Sequence, residues 1–449
     1  MNTIKKESSK NIRKKFIKYL LPSISAMWIF SLYTIVDGIF VSRGVGPTAL
    51  AAINMSMPFI SFIFAISLLL STGASTLIAI YLGKNNIDKS NKIFTQHMVT
   101  IIIVSLSILI ISILNLDKLI LFLGATKATF PYIKDYMKII VLFNGFFIIS
   151  YSLEVIVKTD GFPHFAIIGV SISAIMNIVL DYIFVIRLGY GISGAAYATG
   201  ISQLAGSIFY IVHFIKKNSR LNFVKFKFDF SIFKRILLTG FPDCITELSS
   251  GIVIFLFNHT ILTYIGEHGV IAYSIVSYIN ILVLNTMIGI TQGMQPLSSY
   301  YYGKDDKKLV LKLFKMSFKT ITIVSLATFA FVMLFTESIV SIFIDNSNKE
   351  LFYYSIKVFR VFSISFLFVG FNVNISGFFA SIERPLRATI ISLGRGLVII
   401  TGSLYFMTHI WGAKGIWLST TVSEIICLIM SFLILKKLII TNKKLVASN

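Results

Sequence analysis

Charge is scarce in this chain: Asp, Glu, Lys and Arg make up 13% of its 449 residues, against about 25% in a soluble domain. Acidic residues are the rarest part of that share, 19 against 41 basic. Cysteine is nearly missing; Cys244 and Cys427 both fall inside apolar runs, which excludes a disulfide framework and a thiolate metal site. The six histidines (His97, His164, His213, His259, His268 and His409) are scattered without ligand spacing such as H-E-x-x-H, so no metalloenzyme signature is present. The basic excess gives a net charge of +22, yet it forms no clustered basic face of the kind nucleic acids need. It sits in short connections between long apolar runs. No small-residue cleavage site follows the basic N-terminus, so the opening apolar run reads as an uncleaved first span.

What fills the space is hydrocarbon. The sequence is 56% hydrophobic, with 41 Phe and a mean hydropathy of +0.84. Runs long enough to cross about 30 Å of bilayer recur at 16–41, 51–81, 94–116, 132–157, 164–187 and 193–215. A second set follows at 233–263, 270–301, 312–335, 353–380, 387–410 and 413–436. The expectation is an all-α integral membrane protein with twelve transmembrane helices in two pseudo-symmetric six-helix lobes. The lobes would be 1–218 and 233–449, joined by a basic linker at 219–232.

Lysine and arginine set the orientation. Seven lie in the N-terminal tail (Lys5, Lys6, Lys10, Arg13, Lys14, Lys15 and Lys18). Seven follow span six (Lys216, Lys217, Arg220, Lys225, Lys227, Lys234 and Arg235), whereas the connection after span one holds only Arg43. Both termini and the linker are therefore expected in the cytoplasm.

The halves repeat. "STGASTLIAIYLGKNN" from Ser71 and "TQGMQPLSSYYYGKDD" from Thr291 align Gly73 with Gly293, Tyr81 with Tyr301, Gly83 with Gly303 and Lys84 with Lys304. The same offset pairs Pro22 with Pro242 and Gly46 with Gly266. "GISGAAYAT" (191–199) also resembles "GAKGIWLST" (412–420). Six spans per copy is an even number, so both copies face the same way and a central cavity between the lobes is expected. That is a transporter's organisation, not an enzyme's.

Polar residues inside the spans are few and therefore informative, because a charge at the bilayer centre costs about 2.5–3.5 kcal/mol on insertion scales. Asp37 lies deep in span one. Asn177 and Asp181 share a helix face in span five, and Thr199 lies in span six. An Asp–Asn–Asp–Thr set suits a shared proton or a hard cation such as Na⁺, and nothing separates the two ions. Asp160, Asp243, Lys158 and Lys357 lie where a side chain can reach headgroups or cap a neighbour. Glu154 and Glu424 are open between that role and function. Pro22 could equally be the first turn of a helix, where proline needs no function.

"DGIFVSRGVGPTALAAINMSMP" (37–58), "GKNN" after span two, "DGFP" (160–163), "MNIVLDYIFVIRLGYGISGAAYAT" (176–199) and "GFP" (240–242) occur in order. Together they resemble the multidrug and toxic compound extrusion (MATE) transporters, in the DinF-like prokaryotic branch, over essentially the whole chain. The resemblance implies a non-enzymatic, H⁺- or Na⁺-coupled exporter of bulky, mostly cationic drugs. Its ion-coupling residues would be Asp37, Asn177, Asp181, Thr199 and Tyr136. It also implies a hinge at Pro22 and substrate contacts at Glu154 and Glu247. Another, NorM-like branch places acids in spans seven and ten; here Asn372 and Asn374 occupy span ten, which argues against a complete second ion site. No cofactor is expected, and the partners are small-molecule drugs and membrane lipid, not nucleic acid. The chain is expected to act as a monomer in a bacterial inner membrane. The competing readings are a lipid-linked glycan flippase, which needs free deep cations (Arg395 and Arg360 are the options), and a membrane-embedded enzyme.

Overall fold

A computed structural model describes residues 9–127, 129–216, 219–344 and 349–447; Lys5, Lys6 and Lys217 of the basic count lie outside them. Among the described residues there is no β-strand. The first half runs α1 (Ser9–Gly44), α2 (Pro47–Gly83), α3 (Ile87–Leu114), a short α4 (Leu116–Phe122), α5 (Phe130–Thr159), α6 (Pro163–Asp181) and α7 (Gly191–Ile215). The second half runs α8 (Phe230–Tyr264), α9 (Glu267–Gly303), α10 (Lys307–Phe343), α11 (Lys349–Ser363), α12 (Phe366–Ser381), α13 (Pro385–Leu393), α14 (Ile399–Trp411) and α15 (Ala413–Ala447). Twelve helical stretches are long and apolar enough to cross a membrane, and each coincides with one of the apolar runs above. The helices outrun the runs at their ends: span nine reaches Phe343 rather than 335. Hydropathy falls at Glu337, but backbone hydrogen bonding continues beyond the hydrocarbon.

The repeat is visible in local backbone. α2 and α9 both end in G-K followed by a left-handed residue, Asn85 (φ 57°) or Asp305 (φ 58°). The next side chain caps the following helix: Asn86 Oδ1 accepts from Lys89 N–H at 3.0 Å, and Asp306 Oδ1 from Leu309 N–H at 3.0 Å. The "GKNN" and "GKDD" strings are thus a helix stop and a helix start, with Asn and Asp serving both because they tolerate positive φ and accept at the N-cap. Each half also carries a π-helical turn in its fifth span, Tyr182–Arg187 after α6 and Gly394–Val398 between α13 and α14.

Two compact units emerge from packing. The first holds Met1–Cys244 and Pro296–Val310, the second Ile245–Gln295 and Leu311–Asn449. The first therefore takes in the opening turns of α8 and the end of α9, and glycines explain why. A Cβ at Gly83 would collide with the Tyr300 carbonyl oxygen, and one at Gly303 with that of Ile80; Gly240 and Gly73 meet the Leu69 and Ile236 carbonyls in the same way. Small residues let helix backbones approach this closely in lipid. Gly83→Val is expected to lower the melting temperature of the purified protein, by overpacking of about 1–3 kcal/mol. An unchanged melting curve would mean that the crossing is soft.

Within this unit α2 is central and α1 peripheral: 78% of the apolar window of α2 is buried, against 22% for α1. Pro22 lies well inside α1 and not in its first turn, so the reading of an innocent helix start does not hold. An interior proline removes one backbone hydrogen bond, here to the Lys18 carbonyl, and favours a kink there. α1 is thus a peripheral helix with a broken ladder, an element suited to bend.

Candidate functional site

Three helices of the first unit each place two polar side chains one turn apart: Tyr33 and Asp37 on α1, Asn177 and Asp181 on α6, Thr199 and Gln203 on α7. Spacing of four residues puts each pair on one helix face. The Asp37 and Asp181 side chains interact with one another, and the buried Tyr136 of α5 lies within electrostatic range of both. Asn177 Nδ2 donates to Thr199 Oγ1 at 3.4 Å. Tyr33 reaches Gln203 from the α1 side. Asp37, Asn177, Asp181 and Thr199 therefore stand together, Tyr136 lies within electrostatic range of the two carboxyls, and two residues that were not expected, Tyr33 and Gln203, join them. Their positions, one turn before Asp37 and one turn after Thr199, were the signal available.

The cluster has a buried, under-satisfied centre, with Asp37, Thr199 and Gln203 half-buried around it. Asp181 and Asn177 are fully buried. Both Asp181 oxygens, Asp37 Oδ1 and Asn177 Oδ1 lack a hydrogen-bond partner. No ion pair among the described residues includes Asp37 or Asp181. Buried acceptors without a partner in the protein are ordinarily met by a proton, an ion or a water molecule. Two interacting carboxyls can bond only if one carries a proton, or if a cation stands between them. An all-oxygen set of carboxylate, amide and hydroxyl suits a proton or a hard monovalent ion. Among the described residues no group of three or more His, Cys, Asp or Glu could hold a metal ion.

Several other charged groups within the spans are already paired. Glu154 and Lys158, one turn apart on α5, form an ion pair at 2.9 Å with side chains 4% and 1% exposed. Lys158 thus turns inward instead of reaching for headgroups. Asp160 is also fully buried: Oδ2 lies 2.9 Å from His213 Nε2, and Oδ1 accepts from the Arg220 backbone N–H at 2.9 Å. In the second unit Glu424 receives Arg395 Nε at 2.9 Å and Asn372 Nδ2 at 2.7 Å, and Asn372 Oδ1 accepts from Ser431 Oγ at 3.2 Å. Glu247, half-buried on α8, belongs to the second unit.

A family model described as MatE matches residues 22–183 and 243–402, most of both halves. The chain belongs to the MatE family. Its relatives include the multidrug export protein MepA of Staphylococcus haemolyticus, 25% identical over 434 residues that cover 95% of this chain and 94% of that one. MepA of Staphylococcus aureus is 24% identical over 429 residues, covering 94% and 93%. A solved outward-facing structure of a multidrug resistance MATE family transporter of the MOP superfamily superposes with a TM-score of 0.91 at 25% identity, over 96% of this chain and 97% of that one. A MOP superfamily transporter from Pyrococcus furiosus shares the fold at 24% identity, with a TM-score of 0.88 over 94% of each chain. As a MatE protein the chain is a multi-pass membrane transporter and not an enzyme.

Proposed function

We propose that this MatE protein exports bulky, mostly cationic organic compounds from a bacterial cell across the plasma membrane by alternating access, as a monomer, in exchange for H⁺ or Na⁺. The observation that carries the coupling is the pair Asp37 and Asp181 in the membrane-spanning part of one unit: Asp181 is fully buried and Asp37 half-buried, three of their four oxygens are closed to solvent without a hydrogen-bond partner, and no ion pair among the described residues includes either. One proton or one hard cation relieves their repulsion. Asn177, Thr199 and Tyr136 supply the remaining polar contacts. Because Asp37 rides on α1, relief of that repulsion is transmitted to a peripheral helix already weakened at Pro22, and the change in α1 is what releases drug. Asp37 and Asp181 titrate as a pair, so proton uptake belongs to the dyad.

The loop charges support cytoplasmic termini and linker. Glu154 and Glu247 are the acids we assign to the path of a cationic drug, Glu154 with Lys158 as its ion-pair partner. A lipid-linked glycan flippase would need free deep cations for pyrophosphate. Of the two arginines on offer, Arg395 is tied to Glu424, and Arg360 lies 3.5 Å from Glu337.

Exchange requires drug and ion to weaken each other's binding reciprocally. Affinity of the purified protein for ethidium is therefore expected to fall about tenfold or more as the coupling ion is added, by lowering pH or by raising Na⁺. In Asp181→Asn the dependence should vanish. Affinity flat in both ions for the wild-type protein would sink the proposal.

A further inference from the structure

α10 is 37 residues long, about 55 Å at 1.5 Å per residue, against roughly 30 Å of hydrocarbon. Its first turns therefore stand at the level of the lipid headgroups, and they carry Lys307, Lys308, Lys312, Lys315 and Lys319. Lys315 and Lys319 differ from a merely solvated basic stretch in two ways. They are one turn apart and exposed, and no ion pair among the described residues includes either. They also border an open groove of about 480 Å³, whose wall is otherwise Phe314, Phe318, Thr322, Ile323 and Phe432, with no acid among its lining residues. The aromatic wall is held from behind: Phe314 packs on Phe378 with ring centres 4.4 Å apart, and Phe318 on Phe371 at 4.6 Å and Phe432 at 6.1 Å. The groove lies wholly within the second unit.

We propose that this groove on α10 and α15 binds an anionic phospholipid, with its phosphate between Lys315 and Lys319 and an acyl chain along Phe318, Ile323 and Phe432. A soluble anion would use the two ammonium groups and leave the apolar wall bare. A zwitterionic lipid would cover the wall but place its own cation beside the lysines. Only an anionic lipid satisfies both parts. Two basic side chains one turn apart can grip one phosphate from two sides, and Ile323, one further turn along the helix from Lys319, continues the apolar track toward the bilayer interior. The site is separate from the Asp37–Asp181 cluster and does not rest on the proposed drug export.

The test is the melting temperature of the full-length protein in neutral detergent, titrated with phosphatidylglycerol, phosphatidylcholine or inorganic phosphate. Phosphatidylglycerol is expected to stabilise saturably and more than phosphatidylcholine, with inorganic phosphate inert. The double variant Lys315→Gln/Lys319→Gln should melt near the wild-type temperature without lipid and need roughly tenfold more phosphatidylglycerol, since each basic residue near the surface strengthens the attraction several-fold. The variant Lys307→Gln/Lys308→Gln should respond as wild type. Equal stabilisation by both lipids, an undiminished response in the Lys315/Lys319 variant, the same stabilisation by inorganic phosphate, or an equal loss in the Lys307/Lys308 variant would each overturn the proposal, the last by making the attraction diffuse.

Discussion

Replacing Asp37 with asparagine is expected to drop drug efflux to the level of cells lacking the transporter while the yield of folded protein stays unchanged. Asparagine has nearly the shape of aspartate and brings an N–H donor. In the wild-type cluster the Asp37 and Asp181 side chains interact with one another, and only a proton or cation reconciles them. The introduced amide would donate directly to the Asp181 carboxylate, so the cluster would be permanently satisfied and would have nothing to exchange. The fold should tolerate this, because the change removes a repulsion and leaves no new orphan. Dye efflux from cells, read beside the size-exclusion profile of the purified variant, separates lost coupling from lost folding. Wild-type efflux in the variant would place the coupling elsewhere.

How far sequence alone reached can be judged from particular residues. The twelve spans were legible because crossing hydrocarbon demands a continuous apolar run, and nothing else in the chain imitates one. The repeat was legible from glycines and turn residues. Gly83 and Gly303, which admit the Tyr300 and Ile80 carbonyls, and Asn85 and Asp305, at positive φ, are positions where few other residues fit. Asn177 and Asp181 could be placed on one face from spacing alone, whereas Tyr136 came from resemblance, since a lone tyrosine in a span carries no local signal. The Glu154–Lys158 pair is readable as a one-turn spacing of opposite charges, although spacing alone does not say that both side chains turn inward. The grip of Arg395 and Asn372 on Glu424 was not readable. Those three residues lie on α12, the π-helical turn at Gly394–Val398 and α15, and only tertiary packing joins them.

That last cluster answers the open question about Glu424, and it carries the second large effect. Asp37 and Asp181 have orphaned oxygens, whereas both Glu424 oxygens are used: Oε1 accepts from Arg395 and Oε2 from Asn372. The ion pair is nearly closed to solvent, with side chains 14% and 7% exposed. A buried pair of this kind gives little net stability, but removing one partner leaves the other charge uncompensated, at about 3–5 kcal/mol. Glu424→Gln should therefore destabilise the protein by about that amount, enough to lower the melting temperature markedly and reduce the yield of folded protein. The double variant Arg395→Met/Glu424→Met removes both charges and should recover most of the loss. The two single variants and the double form a cycle whose interaction energy reads the pair directly. Whatever protein folds in the double variant should still couple drug efflux to its ion, because the acids proposed to exchange it, Asp37 and Asp181, belong to the other unit. If Glu424→Gln melted like wild type but lost ion dependence, the second half would hold the working carboxylate, and Asp37 and Asp181 would be its structural counterparts.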